Sequence, residues 1–268
     1  KGDAVAMVIP NSLEFVICHL ALMKLGAVTV PIQPEQPPSD IASRLSQVSP
    51  RALIAVDGTA RKLAETAAVT AAIFLKVAIG SGAPEGWLRY HDLLSSAGDS
   101  PTVEIEPTDL AGIIFTSGVS GPPRGVELTH ESFMHQATRA GRTLRVRSAD
   151  RVAGTCSFAN IFGLTLEVHL SLAHGATVQI TSPSDEANFA GFVQERETTI
   201  FVGSPQTYAK AKVAASAAPT EARALRYLIC CGGRLAPDVR EQIESHWKRP
   251  VLSGYGLTES CGLVSVRL

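Results

Sequence analysis

Two patterns of apolar residues alternate along the chain. Short continuous apolar runs are typical of strands in a buried parallel sheet, whereas apolar residues that recur every three or four positions are typical of amphipathic helices. The strands predicted in this way are Ala4–Ile9, Ala27–Val30, Ala52–Val56, Ile73–Ile79, Leu110–Thr116, Arg151–Gly154, Ala176–Ile180, Thr199–Val202, Arg226–Cys230 and Pro250–Ser253.

Helices are predicted between these strands. In the first helix we expect Asn11 to be the N-cap, Glu14 to occupy the third helical position and Gly26 to close the helix. Pro31 is expected to end the second strand. Because strands and helices alternate, the sequence predicts an α/β fold with largely parallel sheets flanked by helices. The other predicted helices are Asp40–Val48, Ala60–Val69, a short one near His91, His130–Leu144, Ile161–Ala173 and Pro237–Trp247.

Composition and charge narrow the class of protein. The 268 residues include 24 Lys plus Arg and 25 Asp plus Glu, a formal net charge of −1, and 45% of them are hydrophobic. This composition predicts a folded chain with a sizeable core, and the near-neutral charge gives no reason to expect a nucleic-acid partner. The apolar runs are too short to cross a bilayer, so we expect no membrane span.

The cysteines and the start of the chain bear on cellular location. The five cysteines are odd in number and show no CxxC spacing, which argues against a disulfide framework or a zinc site. No signal-peptide pattern opens the sequence, so we expect a cytoplasmic protein. A loop-rich stretch at 80–109 is a candidate boundary between two lobes.

One loop has the chemistry of an anion site. Residues 116–125 read T-S-G-V-S-G-P-P-R-G and follow an apolar strand. The three glycines let main-chain amides turn towards an anion, the hydroxyls are donors, and the guanidinium of Arg124 suits phosphate. From these residues alone, an ordinary surface turn is an equally good interpretation.

Two further segments follow predicted strands. Residues 254–259 read G-Y-G-L-T-E, in which Tyr255 offers a flat face for a base, Thr258 a phosphate donor and Glu259 a carboxylate for a divalent cation. Residues 231–235 read C-G-G-R-L, and the paired glycines permit close approach of a ligand. A strand end with a buried tyrosine and a simple strand-to-helix turn are the alternative interpretations.

In their order along the chain, 116–125, 231–235 and 254–259, the three segments resemble the adenylate-forming (AMP-forming) acyl-CoA synthetase and acyl-AMP ligase family. The loop at 116–125 is similar to its T-S-G-[ST]-[ST]-G-x-P-[KR]-G signature, and 255–259 to its Y-G-x-T-E motif. Residues 157–164 (S-F-A-N-I-F-G-L) resemble its substrate-side motif, and Ile9–Ser12 with Leu25–Val28 resemble its early core.

The resemblance implies a reaction and a set of site residues. Such enzymes join a small carboxylic acid to ATP with Mg²⁺, and then pass the acyl group to the thiol of CoA or of an acyl or peptidyl carrier protein. Thr258 and Glu259 would be catalytic, with Glu259 as the metal ligand. The other implied residues are Thr116, Ser117, Gly118, Ser120, Gly121 and Arg124 for the phosphates, Gly232, Gly233, Arg234, Tyr255 and Gly256 for the nucleotide, and Asn160, Phe162, Gly163 and Gly203 for the acyl group.

Some residues depart from the family pattern. Val119 stands where the family has Thr or Ser, and Asn160 where many CoA ligases have His. These departures favour an alternative, a non-catalytic binding module derived from a degenerate ligase, which the intact motif at 255–259 opposes. Since the chain ends soon after Glu259, the resemblance also implies that 1–268 is a partial N-terminal core, lacking the C-terminal lid and adenylating poorly by itself. The apolar residues of 158–164 suggest an apolar or aromatic acyl group, although they suit an ordinary core equally well.

Overall fold

The chain folds into two compact units, Lys1–Glu131 and Ser132–Leu268. The structure is a computed structural model that describes residues 1–65, 72–95, 98, 101–116, 121–181, 189–210 and 222–267. Each unit is built on its own mostly parallel sheet with helices, which confirms the α/β class. The loop-rich stretch at 80–109 lies inside the first unit, and the two units divide between Glu131 and Ser132.

The first unit contains a seven-stranded sheet of order β5-β4-β3-β1-β2-β6-β7. All neighbouring strands are parallel except β6 and β7, which pair antiparallel. The strands are β1 (Ala4–Val8), β2 (Val28–Ile32), β3 (Ala52–Val56), β4 (Leu75–Ile79), β5 (Leu88–Arg89), β6 (Leu110–Phe115) and β7 (Gly125–Thr129).

Four helices belong wholly to the first unit, within the described residues. The helices at 38–48 and 57–65 bury apolar residues against the sheet in a core that includes Val30, Leu45, Leu53 and Leu63. Burial of such side chains contributes about 1.5–3 kcal/mol each and holds the layers together. The helices are α1 (Leu13–Lys24), α2 (Pro38–Val48), α3 (Asp57–Glu65) and α4 (Tyr90–Leu94).

Two local predictions in this unit were wrong. The N-cap of α1 is Ser12, whose Oγ accepts the N–H of Phe15 at 3.1 Å, because Asn11 lies one residue too early to reach that donor. Pro31 does not end β2 but pairs with Met7 inside it. Pairing of β2 with β6 is limited to Thr29, so the N–H that proline lacks is not needed for that ladder.

The second unit contains a six-stranded sheet of order β13-β12-β11-β10-β8-β9. Strands β8 to β12 pair in parallel, and β13 pairs antiparallel with β12. The strands are β8 (Arg151–Gly154), β9 (Thr177–Gln179), β10 (Ile200–Gly203), β11 (Tyr227–Cys230), β12 (Val251–Leu257) and β13 (Gly262–Arg267). The core of this unit includes Phe201, Tyr208, Leu228 and Trp247.

One helix of the second unit departs from the regular α form. The predicted helix at 161–173 is π-helical over Gly163–His169 and continues as α6 (Leu170–Ala173). The Thr165 hydroxyl donates to the carbonyl of Ile161 at 2.6 Å, a contact that disturbs regular helix pairing. The remaining helices are α5 (His130–Leu144), which begins in the first unit, α7 (Phe189–Glu195), α8 (Pro205–Lys210) and α9 (Pro237–Trp247). Among the described residues there is no helix with the length and hydropathy needed to cross a bilayer.

Candidate functional site

Three parallel strands of the second unit end side by side. The main-chain N–H of Thr155, just after β8, donates to Val202 O of β10 at 3.1 Å, and that of Cys231, just after β11, donates to Gly203 O at 3.0 Å. The carboxyl ends of β8, β10 and β11 therefore form one edge. In α/β sheets this edge is where ligands bind.

The segment Gly232–Arg234 leaves this edge as an open turn. Gly232 has a φ of +82° with no heavy atom within 4 Å of a Cβ placed there, so the position needs glycine for its backbone rather than for space. A Cβ on Gly233 would lie 3.1 Å from Cγ of Pro205, at the start of α8. Both glycines and Arg234 are exposed, so this turn presents main-chain groups to a ligand.

Tyr255 lies on β12, next to the same turn. A Cβ on the preceding Gly254 would lie 2.6 Å from Sγ of Cys231, which shows how closely the two segments approach. Tyr255 is 60% exposed, so the alternative of a buried tyrosine is wrong. Packing between strands explains why residue 256 is a glycine, because a Cβ on Gly256 would collide with the carbonyl of Gly262 on β13.

Thr258 and Glu259 open a short 3₁₀ turn, Thr258–Ser260, directly after β12. The hydroxyl of Ser260 donates to Gly262 O at 2.9 Å and accepts the N–H of Leu257 at 3.1 Å, which fixes the turn. Glu259 is exposed, so its oxygens are open to a cation. No cluster of three or more His, Cys, Asp or Glu suited to a metal occurs among the described residues.

The predicted acyl-side residues lie at the start of the π-helical segment and at the end of β10. Oδ1 of Asn160 accepts the N–H of Phe162 at 2.9 Å and so caps this helix. Gly163 packs against the preceding loop, since a Cβ there would lie 2.8 Å from Cys156 O. Gly203 is covered by α8, where a Cβ would approach Tyr208 and Thr207 at 3.2 and 3.3 Å.

The predicted phosphate loop belongs to the first unit. Its two ends are joined twice: the N–H of Thr116 donates to Arg124 O at 2.9 Å, and the N–H of Arg124 donates to Oγ1 of Thr116 at 3.1 Å. Gly121 and Arg124 are exposed. Ser117, Gly118 and Ser120 lie outside the described residues. Thr116 and Arg124 are thus joined by one main-chain bond and one bond to the Thr116 side chain.

The cysteine thiols near this strand edge are not activated as nucleophiles. No disulfide joins the five cysteines, all of which the structure describes. Burial raises the pKa of the Cys230 thiol to about 11 and that of Cys231 to about 12. Thiols with such pKa values stay protonated at neutral pH and are poor nucleophiles.

Sequence reasoning missed two features of the strand edge. Oγ1 of Thr155 and Oγ1 of Thr207 share a hydrogen bond of 2.6 Å, which ties the end of β8 to α8. Glu167, on the π-helical segment, is 1% exposed and has a carboxyl that faces the strand ends. A single acidic residue in the segment 164–172, where apolar and polar residues alternate, was the available signal.

The two sheets, with glycine turns at the ends of parallel strands, define an α/β protein with an exposed strand edge suited to a ligand. The sequence profile described as "AMP-binding enzyme" matches residues 1–268, and the chain belongs to this family.

The chain is similar to several known proteins. It is 31% identical over 266 residues to the long-chain-fatty-acid–CoA ligase FadD13 of Mycobacterium tuberculosis, covering 98% of this chain and 51% of that one. It is 28% identical over 281 residues to naringenin synthase of Pestalotiopsis fici, covering 99% of this chain and 10% of that one. The crystal structure of the anthranilate CoA ligase AuaEII with anthranoyl-AMP superposes with a TM-score of 0.91 at 21% identity. The match covers 99% of this chain and 52% of that chain. The chain thus spans about half the length of FadD13 and a tenth of naringenin synthase.

Proposed function

We propose that the polypeptide containing this chain activates a carboxylic acid with ATP and transfers the acyl group to a thiol. In the first step a carboxylate oxygen attacks the α-phosphorus, the bond to the bridging oxygen breaks, and an acyl-adenylate and pyrophosphate form. A thiol of CoA or of a carrier protein then displaces AMP. The observation that carries this proposal is the grouping of Gly203, Gly232–Arg234 and Tyr255 along one strand edge, in a chain that belongs to the AMP-binding family throughout.

The nucleotide is proposed to bind along the edge of the second unit. Adenine would lie against the open turn Gly232–Arg234 and stack on Tyr255, whose ring is exposed beside it. The hydroxyl of Thr258 would donate to an α-phosphate oxygen as negative charge develops there. Separately, the exposed Arg124 guanidinium of the first unit is proposed to bind phosphate.

The residues present suit one Mg²⁺ ion. Glu259 supplies an exposed oxygen donor on a fixed turn, and Mg²⁺ at nucleotide sites takes one or two carboxylates together with phosphate oxygens. Bound there, Mg²⁺ would neutralise phosphate charge. The acyl group is proposed to lie beside Asn160 and Phe162, and the largely apolar surroundings favour an apolar or aromatic acid.

Exchange of pyrophosphate into ATP tests this function. In the full-length polypeptide, we expect exchange that depends on one of a panel of aliphatic and aromatic acids. Glu259→Gln should lower the exchange rate by about 100-fold, because removal of one charge-stabilising group costs about that much. The matched control is Glu241→Gln, an exposed glutamate on α9, which should leave the rate unchanged.

Two results would contradict the proposal. One is a folded protein that shows no exchange with any acid, which would favour the non-catalytic module. The other is a Glu259→Gln variant as active as the control, which would remove Glu259 from the reaction.

A further inference from the structure

Glu167 carries a carboxyl that the proposed reaction does not use. It is 1% exposed on the π-helical segment of the second unit. Burial raises the pKa of this carboxyl well above its ordinary value, and the hydrogen bond from the main-chain N–H of Cys156 opposes that rise only in part. Its other oxygen, Oε1, is closed off from solvent and has no hydrogen-bond partner among the described residues. The carboxyl therefore keeps its proton to a higher pH than an ordinary glutamate does.

The carboxyl lies where three strands end. A Cβ on Gly154, the last residue of β8, would collide with Oε1 and would also lie 2.5 Å from Val202 O of β10. The Cys231 thiol, just after β11, is near enough for a charge on Glu167 to raise its pKa further, after burial and Cys230. No basic side chain of the described residues is among the groups that shift the pKa of Glu167, so only the Cys156 N–H there favours the ionised form.

Both main-chain polar groups of Cys156 contact the same helix. Its N–H donates to Glu167, and its carbonyl packs on Gly163, where a Cβ would lie 2.8 Å away. The loop 155–160 is anchored at its start by the bond from Thr155 N to Val202 O, and it turns through an internal bond from Asn160 N to Ser157 O at 2.8 Å. Cys156 thus lies at the point where the middle of the loop contacts the helix.

We propose that Glu167 is a positioning residue for acyl binding: its carboxyl fixes the loop 155–160 on the π-helical segment and so keeps Asn160 and Phe162 in place. This inference rests on the proposed function, because it assigns the acyl group to those two residues. Glu167 acts through the loop and does not touch the acid, since Oε1 is closed to any molecule as large as water.

Substitution of Glu167 by glutamine or by methionine distinguishes the role of a neutral hydrogen-bond acceptor from the role of side-chain volume alone. Glu167→Gln keeps an uncharged carbonyl acceptor for the Cys156 N–H, whereas Glu167→Met fills the space without one. Loss of a buried hydrogen bond costs about 1–3 kcal/mol, which corresponds to about 5- to 150-fold in an opening equilibrium. The matched control is Ser171→Ala on the same helix, because Ser171 is fully buried and its hydroxyl has no partner among the residues that the structure describes.

The experiment has two readouts on the full-length polypeptide. Hydrogen exchange of the Cys156 amide should accelerate at least fivefold in Glu167→Met and stay at the wild-type rate in Glu167→Gln and Ser171→Ala. In pyrophosphate exchange, Glu167→Met should raise KM for the acid by a similar factor and change KM for ATP less than twofold, with KM values of the other two variants unchanged.

Each contrary result overturns the inference. A Glu167→Gln variant that behaves like Glu167→Met would show that the charge, not the neutral acceptor, matters. Unchanged amide exchange in Glu167→Met would show that the carboxyl does not hold the loop, and equal rises in KM for acid and ATP would remove the acyl-side role. If wild type adenylates no acid, the proposed function fails separately, and amide exchange still decides whether Glu167 holds the loop.

Discussion

Tyr255 is the residue on which the nucleotide proposal depends most directly. An aromatic ring of this size that is 60% exposed gains little from burial in the sheet, so we propose that it serves to stack on a base. Base–aromatic stacking is worth about 1–3 kcal/mol. We therefore expect Tyr255→Ala to raise KM for ATP by about 5- to 150-fold in pyrophosphate exchange.

Tyr255→Phe keeps the stacking face and should leave KM for ATP within about twofold of wild type. Val264→Ala on β13 is the control for truncation of an exposed apolar side chain, since Val264 is 59% exposed. An alanine variant with an unchanged KM for ATP would mean that Tyr255 does not contact the base.

Single residues also show where sequence reasoning worked and where it failed. The positive φ of Gly232 shows why glycine stands in the predicted turn, and its part in binding a ligand stays a prediction. Gly256, by contrast, is explained by its close approach to Gly262, a contact between two strands that no local motif reveals. Glu167 was missed because its environment comes from the ends of three strands distant in sequence.

At the scale of elements, one ion pair joins two strands and a helix. Asp150, just before β8, is 3% exposed and accepts from Nη1 of Arg226, just before β11, at 2.5 Å. Nη2 of Arg226 also donates to Arg145 O, after the end of α5, at 3.0 Å. Burial alone would raise the pKa of Asp150, but the hydrogen bonds from Arg226 and from the N–H of Arg147 hold it below its ordinary value of 3.8.

The sign of the pH dependence follows from that lowered pKa. Above the ordinary pKa near 3.8 the ion pair contributes its full stability, and this contribution is lost as the pH falls through the lower pKa of the folded state. We expect Arg226→Ala to lower the free energy of unfolding by about 1.5–3 kcal/mol at neutral pH. The loss should shrink when calorimetry is repeated at progressively lower pH, below about pH 4.

Arg151→Ala is the control for this prediction. Arg151 and Glu197 form an exposed pair at 2.8 Å, which is worth about 0–1 kcal/mol. Equal losses in the two variants, or a loss in Arg226→Ala that does not depend on pH, would contradict the account.

The periodicity of the sequence predicted most elements but not their irregularities. Strand Ala52–Val56 and helices His130–Leu144 and Pro237–Trp247 occur with the predicted bounds, since apolar period and flanking residues agree there. Strand β13 was missed because its pairing with β12 is a tertiary feature, and the π-helical form of 163–169 depends on local contacts such as Thr165 to Ile161. The predicted helix cap and the predicted strand end were displaced by one or two residues, as Ser12 and Pro31 show.

At the scale of the whole molecule, the strand–helix alternation was enough to predict the α/β class, because parallel sheets require it. It was not enough to divide the chain. The break between Glu131 and Ser132 falls at the first turns of α5, a regular helix that shows no change in composition. The three glycine segments were predicted as a set, and two of them meet at one strand edge in the second unit.

A crystal structure of the full-length polypeptide with a non-hydrolysable acyl-adenylate analogue tests the central claim most directly. We predict that the adenine lies over the Tyr255 ring at about 4 Å and against Gly232–Arg234, with the acyl group beside Phe162. Adenine bound away from this strand edge, with Tyr255 still in solvent, would contradict the account.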